Sequence, residues 1–123
     1  MENREFFLTN GFNLIANNTS EYFGDYYDIY KKGNTYFRII KDKSAISIDI
    51  SNNNESWYDL ALVKALLYNE NNLIHVTTIE EYWDLLRKKM VDVVNLFDSK
   101  NYPTTKERLD KLKNERVKQM FPK

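Results

Sequence analysis

Between Glu21 and Leu67 the hydrophobic period of the chain is two residues up to Ile50 and becomes helical after Trp57. Tyr27 and Ile29 alternate with Tyr26, Asp28 and Tyr30, and Lys31-Lys32-Gly33-Asn34 then supplies turn residues, two of which tolerate positive φ. The next run sets Phe37 and Ile39 on one face and Tyr36, Arg38 and Ile40 on the other, and Asp42-Lys43-Ser44 forms a second turn. Ile46, Ile48 and Ile50 alternate with Ser47 and Asp49. Runs joined by turns this short must meander antiparallel, because a parallel return needs a crossover of about a dozen residues. Phe12 to Ala16 predicts a fourth strand.

Three helices are predicted after the meander. Ser56-Trp57-Tyr58-Asp59, Thr78-Ile79-Glu80-Glu81 and Thr104-Thr105-Lys106-Glu107 each place a hydroxyl three residues before an acid, the spacing of a capping box. The first helix runs from about Trp57 to Tyr68 and offers Leu60, Val63, Leu66 and Leu67. The second has the clearest stripe, with Ile79, Tyr82, Trp83, Leu86, Met90, Val93, Val94 and Phe97 at helical spacing, and is expected to pack on the sheet. The third, about Thr104 to Met120, has a thin stripe of Leu109, Leu112, Val117 and Met120 among charges. The polar tract Asn52-Asn53-Asn54 reads as a loop. The fold class is therefore α+β, an antiparallel meander of about four strands packed by about three helices in one domain spanning residues 1–123.

Length and composition fit that reading. A chain of 123 residues with 42 % hydrophobic and 15 % aromatic residues can bury one core. No apolar run approaches the roughly 18 residues of a membrane helix, and the opening Met1-Glu2-Asn3-Arg4-Glu5 is unlike a signal peptide, so a cytoplasmic protein without membrane contact is expected.

Charge adds an asymmetry. The net charge is zero, yet residues 1–100 hold 11 Lys and Arg against 15 Asp and Glu, whereas residues 101–123 hold 7 against 3. An acidic body thus ends in a basic segment bearing Lys106, Arg108, Lys111, Lys113, Arg116 and Lys118, which could face nucleic acid but more commonly forms a solvated helix face.

Candidate chemistry is mostly excluded. The absence of cysteine removes disulfides, thiolate catalysis and Cys-type zinc sites. His75 is the only histidine, so triads and metal clusters built on several imidazoles are excluded, and its place between Ile74 and Val76 suggests a structural role. Gly11, Gly24 and Gly33 are not spaced as a phosphate-cradling loop. No cofactor and no enzymatic activity are expected. Asp28 and Asp49 read onto the same outward face as Arg38, a cross-strand ladder of acid, base and acid in which the arginine neutralises both carboxylates.

The aromatic residues point to binding. Tyr22, Phe23, Tyr26, Tyr27, Tyr30, Tyr36, Phe37, Trp57 and Tyr58 crowd into 37 residues and make up half of the 18 aromatics. The alternation directs Tyr26, Tyr30 and Tyr36 away from the face of Phe37 and Ile46, so both sides of the sheet carry apolar surface. Rigid rings beside charges are typical of protein-binding surfaces, and Tyr26, Asp28, Tyr30, Tyr36, Arg38 and Asp49 form the candidate contact set. Either helices cover one side of the sheet while a second protein or another copy of the chain covers the other, or helices cover both sides.

Phe23-Gly24-Asp25, the strand Tyr36-Phe37-Arg38-Ile39-Ile40-Lys41-Asp42-Lys43, the helix start Trp57-Tyr58-Asp59-Leu60 and the stretch Leu96-Phe97-Asp98-Ser99-Lys100-Asn101-Tyr102 leading into Leu109-Asp110-Lys111-Leu112 resemble a family of small bacterial proteins of about this length. Some small α+β proteins of this kind are immunity proteins that neutralise a cognate secreted toxin. The resemblance implies toxin binding and carries over no catalytic residue. The family's second turn reads Asp-Arg-Gly where this chain has Asp42-Lys43-Ser44, so no arginine role is transferred there. The alternatives are a nucleic-acid-associated regulator using the basic C-terminal helix and a small enzyme of unfamiliar type.

Overall fold

Tight turns and alternating apolar residues build a meander. The computed structural model describes residues 2–19, 25–43 and 45–122, so Tyr22, Phe23, Gly24 and Ser44 lie outside the described residues. The chain forms helix α1 (Glu2–Thr9), strands β1 (Asn13–Thr19), β2 (Tyr26–Lys32), β3 (Thr35–Asp42), β4 (Ala45–Asn52) and β5 (Ser56–Asp59), then helices α2 (Leu60–Tyr68), α3 (Ile79–Leu96) and α4 (Tyr102–Met120). The strands make one antiparallel sheet in the order β1-β2-β3-β4-β5. The α+β class is as expected, with five strands and, ahead of them, a helix that the sequence pattern did not reveal. The fold divides into two compact units, Met1–Trp57 and Tyr58–Lys123.

Two-residue turns set the register of the first unit. Gly33 takes φ +59° between the paired residues Lys32 and Thr35, and a Cβ there would meet nothing within 4 Å, so the demand for glycine is conformational rather than steric. Asn53 and Asn54 both take positive φ (57° and 60°) and link β4 to β5, so the asparagine tract is a hairpin turn. From the first turn, Tyr30 falls opposite Phe37 and Asp28 opposite Ile39. The next ladder pairs Phe37 with Ile50, Ile39 with Ile48 and Arg38 with Asp49.

Residues directly opposite one another share a face. One face therefore carries Asp28, Tyr30, Phe37, Ile39, Ile48 and Ile50, all fully buried. The other carries Tyr27, Ile29, Tyr36, Arg38, Ile40 and Asp49, none of them buried. Helix α1 packs on the first face. Its Phe7 stacks on Tyr30 (centroids 4.4 Å apart, planes at 17°) and meets Phe37 at 5.1 Å, while Phe12 closes the cluster edge-on to both Phe7 and Phe37. Four fully buried rings amount to several kcal/mol of apolar transfer, at about 1.5–3 kcal/mol each.

In the second unit α2 and α3 are capped by short-range polar groups. Asp59, not Ser56, caps α2: its Oδ1 accepts from the Ala61 N–H at 2.9 Å, and Ser56-Trp57-Tyr58-Asp59 is strand β5 rather than a capping box. The Thr78 and Glu81 box at the head of α3 is formed as expected. Helix α4 starts at Tyr102, two residues before the box expected at Thr104, with Asn101 as N-cap and a proline in its first turn. Of the α3 stripe, Tyr82, Leu86, Val93 and Phe97 are buried. One carboxylate serves all three helices: Asp59 Oδ1 also accepts from the Tyr82 hydroxyl of α3 at 3.1 Å, and Asp59 Oδ2 accepts from Arg116 Nη1 of α4 at 3.1 Å.

Candidate protein-binding face

The two faces of the sheet divide the expected contact residues. Asp28 and Tyr30 do not face outward; both are fully buried. Arg4 of α1 grips Asp28 with two hydrogen bonds, Nε to Oδ2 at 3.1 Å and Nη2 to Oδ1 at 2.9 Å, and the Tyr30 hydroxyl donates to Asp28 Oδ2 at 2.9 Å. The ladder of Asp28, Arg38 and Asp49 is thus corrected: Arg38 pairs with Asp49 alone, and Asp28 stands on the opposite face with Arg4 as its partner. The reason is local chemistry. A carboxylate can be buried when a bidentate guanidinium and a hydroxyl satisfy it, and the short side chain of Asp28 leaves room for both. Burial, together with the hydrogen bond to Asp28, holds the Tyr30 hydroxyl well above the ordinary tyrosine value. The Arg4 guanidinium is likewise stabilised in its charged form, chiefly by its hydrogen bond to Asp28.

Tyr26 shares the Asp28 and Tyr30 side of β2 by alternation and is half-buried at the strand's start, so it too leaves the outward set. Tyr36, Arg38 and Asp49 lie on the opposite face as expected. Arg38 Nη2 donates to Asp49 Oδ2 at 2.9 Å, and its guanidinium carbon sits 4.3 Å from the centre of the Trp57 ring. Arg38 Nε is buried and has no hydrogen-bond acceptor among the described residues. Lys31 Nζ lies 5.5 Å above the Tyr36 ring, the residue opposite it in the ladder. Tyr27, 37 % exposed, and half-buried Ile29 and Ile40 complete a continuous patch.

Tyr27, Ile29, Ile40 and Trp57 were missing from the expected contact set. Directing Tyr26 and Tyr30 away from the face of Phe37 leaves Tyr27 and Ile29 on the side of Phe37. The hairpin pairing could have placed them correctly, because a two-residue turn at Gly33-Asn34 sets Tyr30 opposite Phe37 and so turns Tyr27 and Ile29 the other way.

The patch combines aromatic rings, aliphatic side chains and one ion pair. Among the described residues, no group of three or more His, Asp or Glu side chains could hold a metal ion. No helix there is long and apolar enough to cross a membrane.

The basic segment is partly spent within its own unit. Lys106 donates to the Tyr58 hydroxyl at 3.0 Å and pairs with Asp110, the Tyr58 hydroxyl donates to Asp110 Oδ1 at 2.6 Å, and Arg116 binds Asp59. Burial pushes Tyr58 up to about 12, helped by the hydrogen bond to Asp110, while that same hydrogen bond lowers Asp110. Arg108, Lys111, Lys113 and Lys118 are exposed. His75 is exposed rather than enclosed by its apolar neighbours, and its Nε2 lies 3.1 Å from Glu81 Oε1, the capping carboxylate of α3.

Comparison with family models, with curated proteins and with solved structures finds no match to this chain.

Proposed function

We propose that this chain is a non-enzymatic protein-binding module of the bacterial immunity type, which neutralises a cognate toxin by direct contact. The observation that carries the reading is the open sheet face, where Tyr27, Tyr36 and Trp57 surround the Arg38 and Asp49 pair while the opposite face is buried. A chain whose first 100 residues have a net charge of −4 suits a cationic partner, as toxins that attack nucleic acid tend to be, and steering of this kind raises association rates. The nucleic-acid reading loses ground because Lys106 and Arg116, two of the six cations it relied on, are already paired with carboxylates.

The test co-expresses the toxin encoded beside this chain's gene with variants of the open face and measures cell survival, binding and thermal unfolding together. Tyr27→Ala and Tyr36→Ala are expected to weaken binding by about 2 kcal/mol where the ring is a hot spot, with unfolding little changed. Full protection by both variants, or loss of protection only in variants that also unfold, refutes this face as the contact.

A further inference from the structure

Among the described residues, one edge of the sheet has no strand beside it. Strand β1 has a neighbour on one side only. Proteins usually blunt such edges with charges, proline or shortness, yet β1 runs for seven residues, Asn13–Thr19, with neither a charge nor a proline. The opposite edge, β5, is shielded by being only four residues long. Helix α1 sends Arg4 and Phe7 over the face to Asp28 and Tyr30 on β2 and to Phe37 on β3. Asn13, Ile15, Asn17 and Asn18 are exposed. One blunting device is present: a bulge breaks the register between Leu14 and Ala16 and leaves Ile15 half open to solvent. The stretch beyond it, Ala16 to Thr19, pairs regularly with β2 and presents a straight outer rim.

We propose that this rim pairs antiparallel with the same rim of a second copy of the chain, joining two sheets edge to edge. A two-fold axis normal to the sheet at Asn17 sets Asn17 of one copy opposite Asn17 of the other, and an isologous contact of this kind needs a self-complementary strand. Asparagine meets that need, since its amide both donates and accepts and no like charges confront each other. A charged partner segment gains no attraction from a neutral edge, which favours the identical copy. The contact is short, so the association is weak and concentration-dependent. It leaves the open sheet face of each copy free, so dimerisation and toxin binding stand or fall separately.

Analytical ultracentrifugation of the full chain from micromolar to millimolar concentration tests this. A monomer–dimer equilibrium insensitive to salt is expected. Asn17→Lys, and separately Asn17→Glu, place like charges across the axis, on the side of β1 away from Tyr27, and should each weaken the dimer about tenfold or more. An equimolar mixture of the two variants should restore it as a heterodimer. Both variants change exposed side chains, so their unfolding should match the unsubstituted chain. A monomer at every concentration overturns the proposal, as does a dimer that survives both variants or that is broken by Tyr27→Glu on the open face instead. Loss of toxin binding in the lysine variant of a monomeric chain assigns the edge to the toxin and overturns it equally.

Discussion

Two arginine–aspartate pairs sit back to back on the same sheet and behave as different objects. The guanidinium sides are about equally open, 33 % for Arg4 and 30 % for Arg38, but the carboxylates are not: Asp28 is fully buried and Asp49 is 19 % exposed. Arg4 makes two hydrogen bonds to its aspartate and Tyr30 adds a third, whereas Arg38 makes one to Asp49 and leaves its buried Nε without an acceptor. The first pair is saturated and fastens a helix to a strand. The second joins two strands on the other face, with its guanidinium over the Trp57 ring. Similar residue pairs thus differ in how far the carboxylate is withdrawn from water.

The largest effect should come from breaking the saturated pair. Arg4→Ala leaves Asp28 buried with only a hydroxyl donor, and should cost about 3 kcal/mol in urea unfolding, the low end for a buried pair because Arg4 is one-third open to water. A loss below about 1 kcal/mol would mean that Asp28 recruits water and that the two pairs are energetically alike.

Tyr30→Phe removes one donor and keeps the stacked ring, so about 1.5 kcal/mol is expected, the scale of a hydrogen bond to a charged group. Its pH dependence has a definite sign. The folded pKa of Tyr30 is raised, so the contribution of the hydroxyl is complete below the unfolded value of about 10 and is lost as pH rises beyond it. The stability difference between the unsubstituted chain and Tyr30→Phe should therefore be flat at neutral pH and shrink in alkali. A difference that grew with pH would place the hydroxyl in contact with a cation instead.

The smallest effect should follow from Arg38→Ala. A part-exposed pair contributes about 1 kcal/mol or less, so unfolding should shift little while binding to a partner weakens several-fold more than stability does. Equal losses in both measurements would make Arg38 a fastening like Arg4.

Much of this arrangement was legible in the sequence. The faces of β3 and β4 follow from alternation, because Phe37, Ile39, Ile48 and Ile50 contrast sharply with Arg38, Ser47 and Asp49. In β2 both alternating sets contain tyrosine, so apolarity could not say which points inward, and a buried acid among them argued for the wrong answer. What decides it lies 24 residues upstream, in Arg4. That residue gave no signal of its own, since Phe6, Phe7 and Leu8 are consecutive and do not mark a helical stripe. Ser56 to Asp59 misled for a related reason: a hydroxyl three residues before an acid fits a capping box, but strand pairing claims those residues and the acid itself becomes the cap.

The position of Asp59 sets an order of events during synthesis. Its carboxylate needs the Ala61 amide, which follows at once, the Tyr82 hydroxyl, which comes 23 residues later, and the Arg116 guanidinium, which comes 57 residues later. While the chain is still being made, the head of α2 therefore carries a negative charge without its cation. The second unit completes this junction only when the far turns of α4 leave the ribosome, so a product arrested before residue 116 would keep the Asp59–Tyr82 and Tyr58–Asp110 hydrogen bonds but lack the cation that neutralises Asp59.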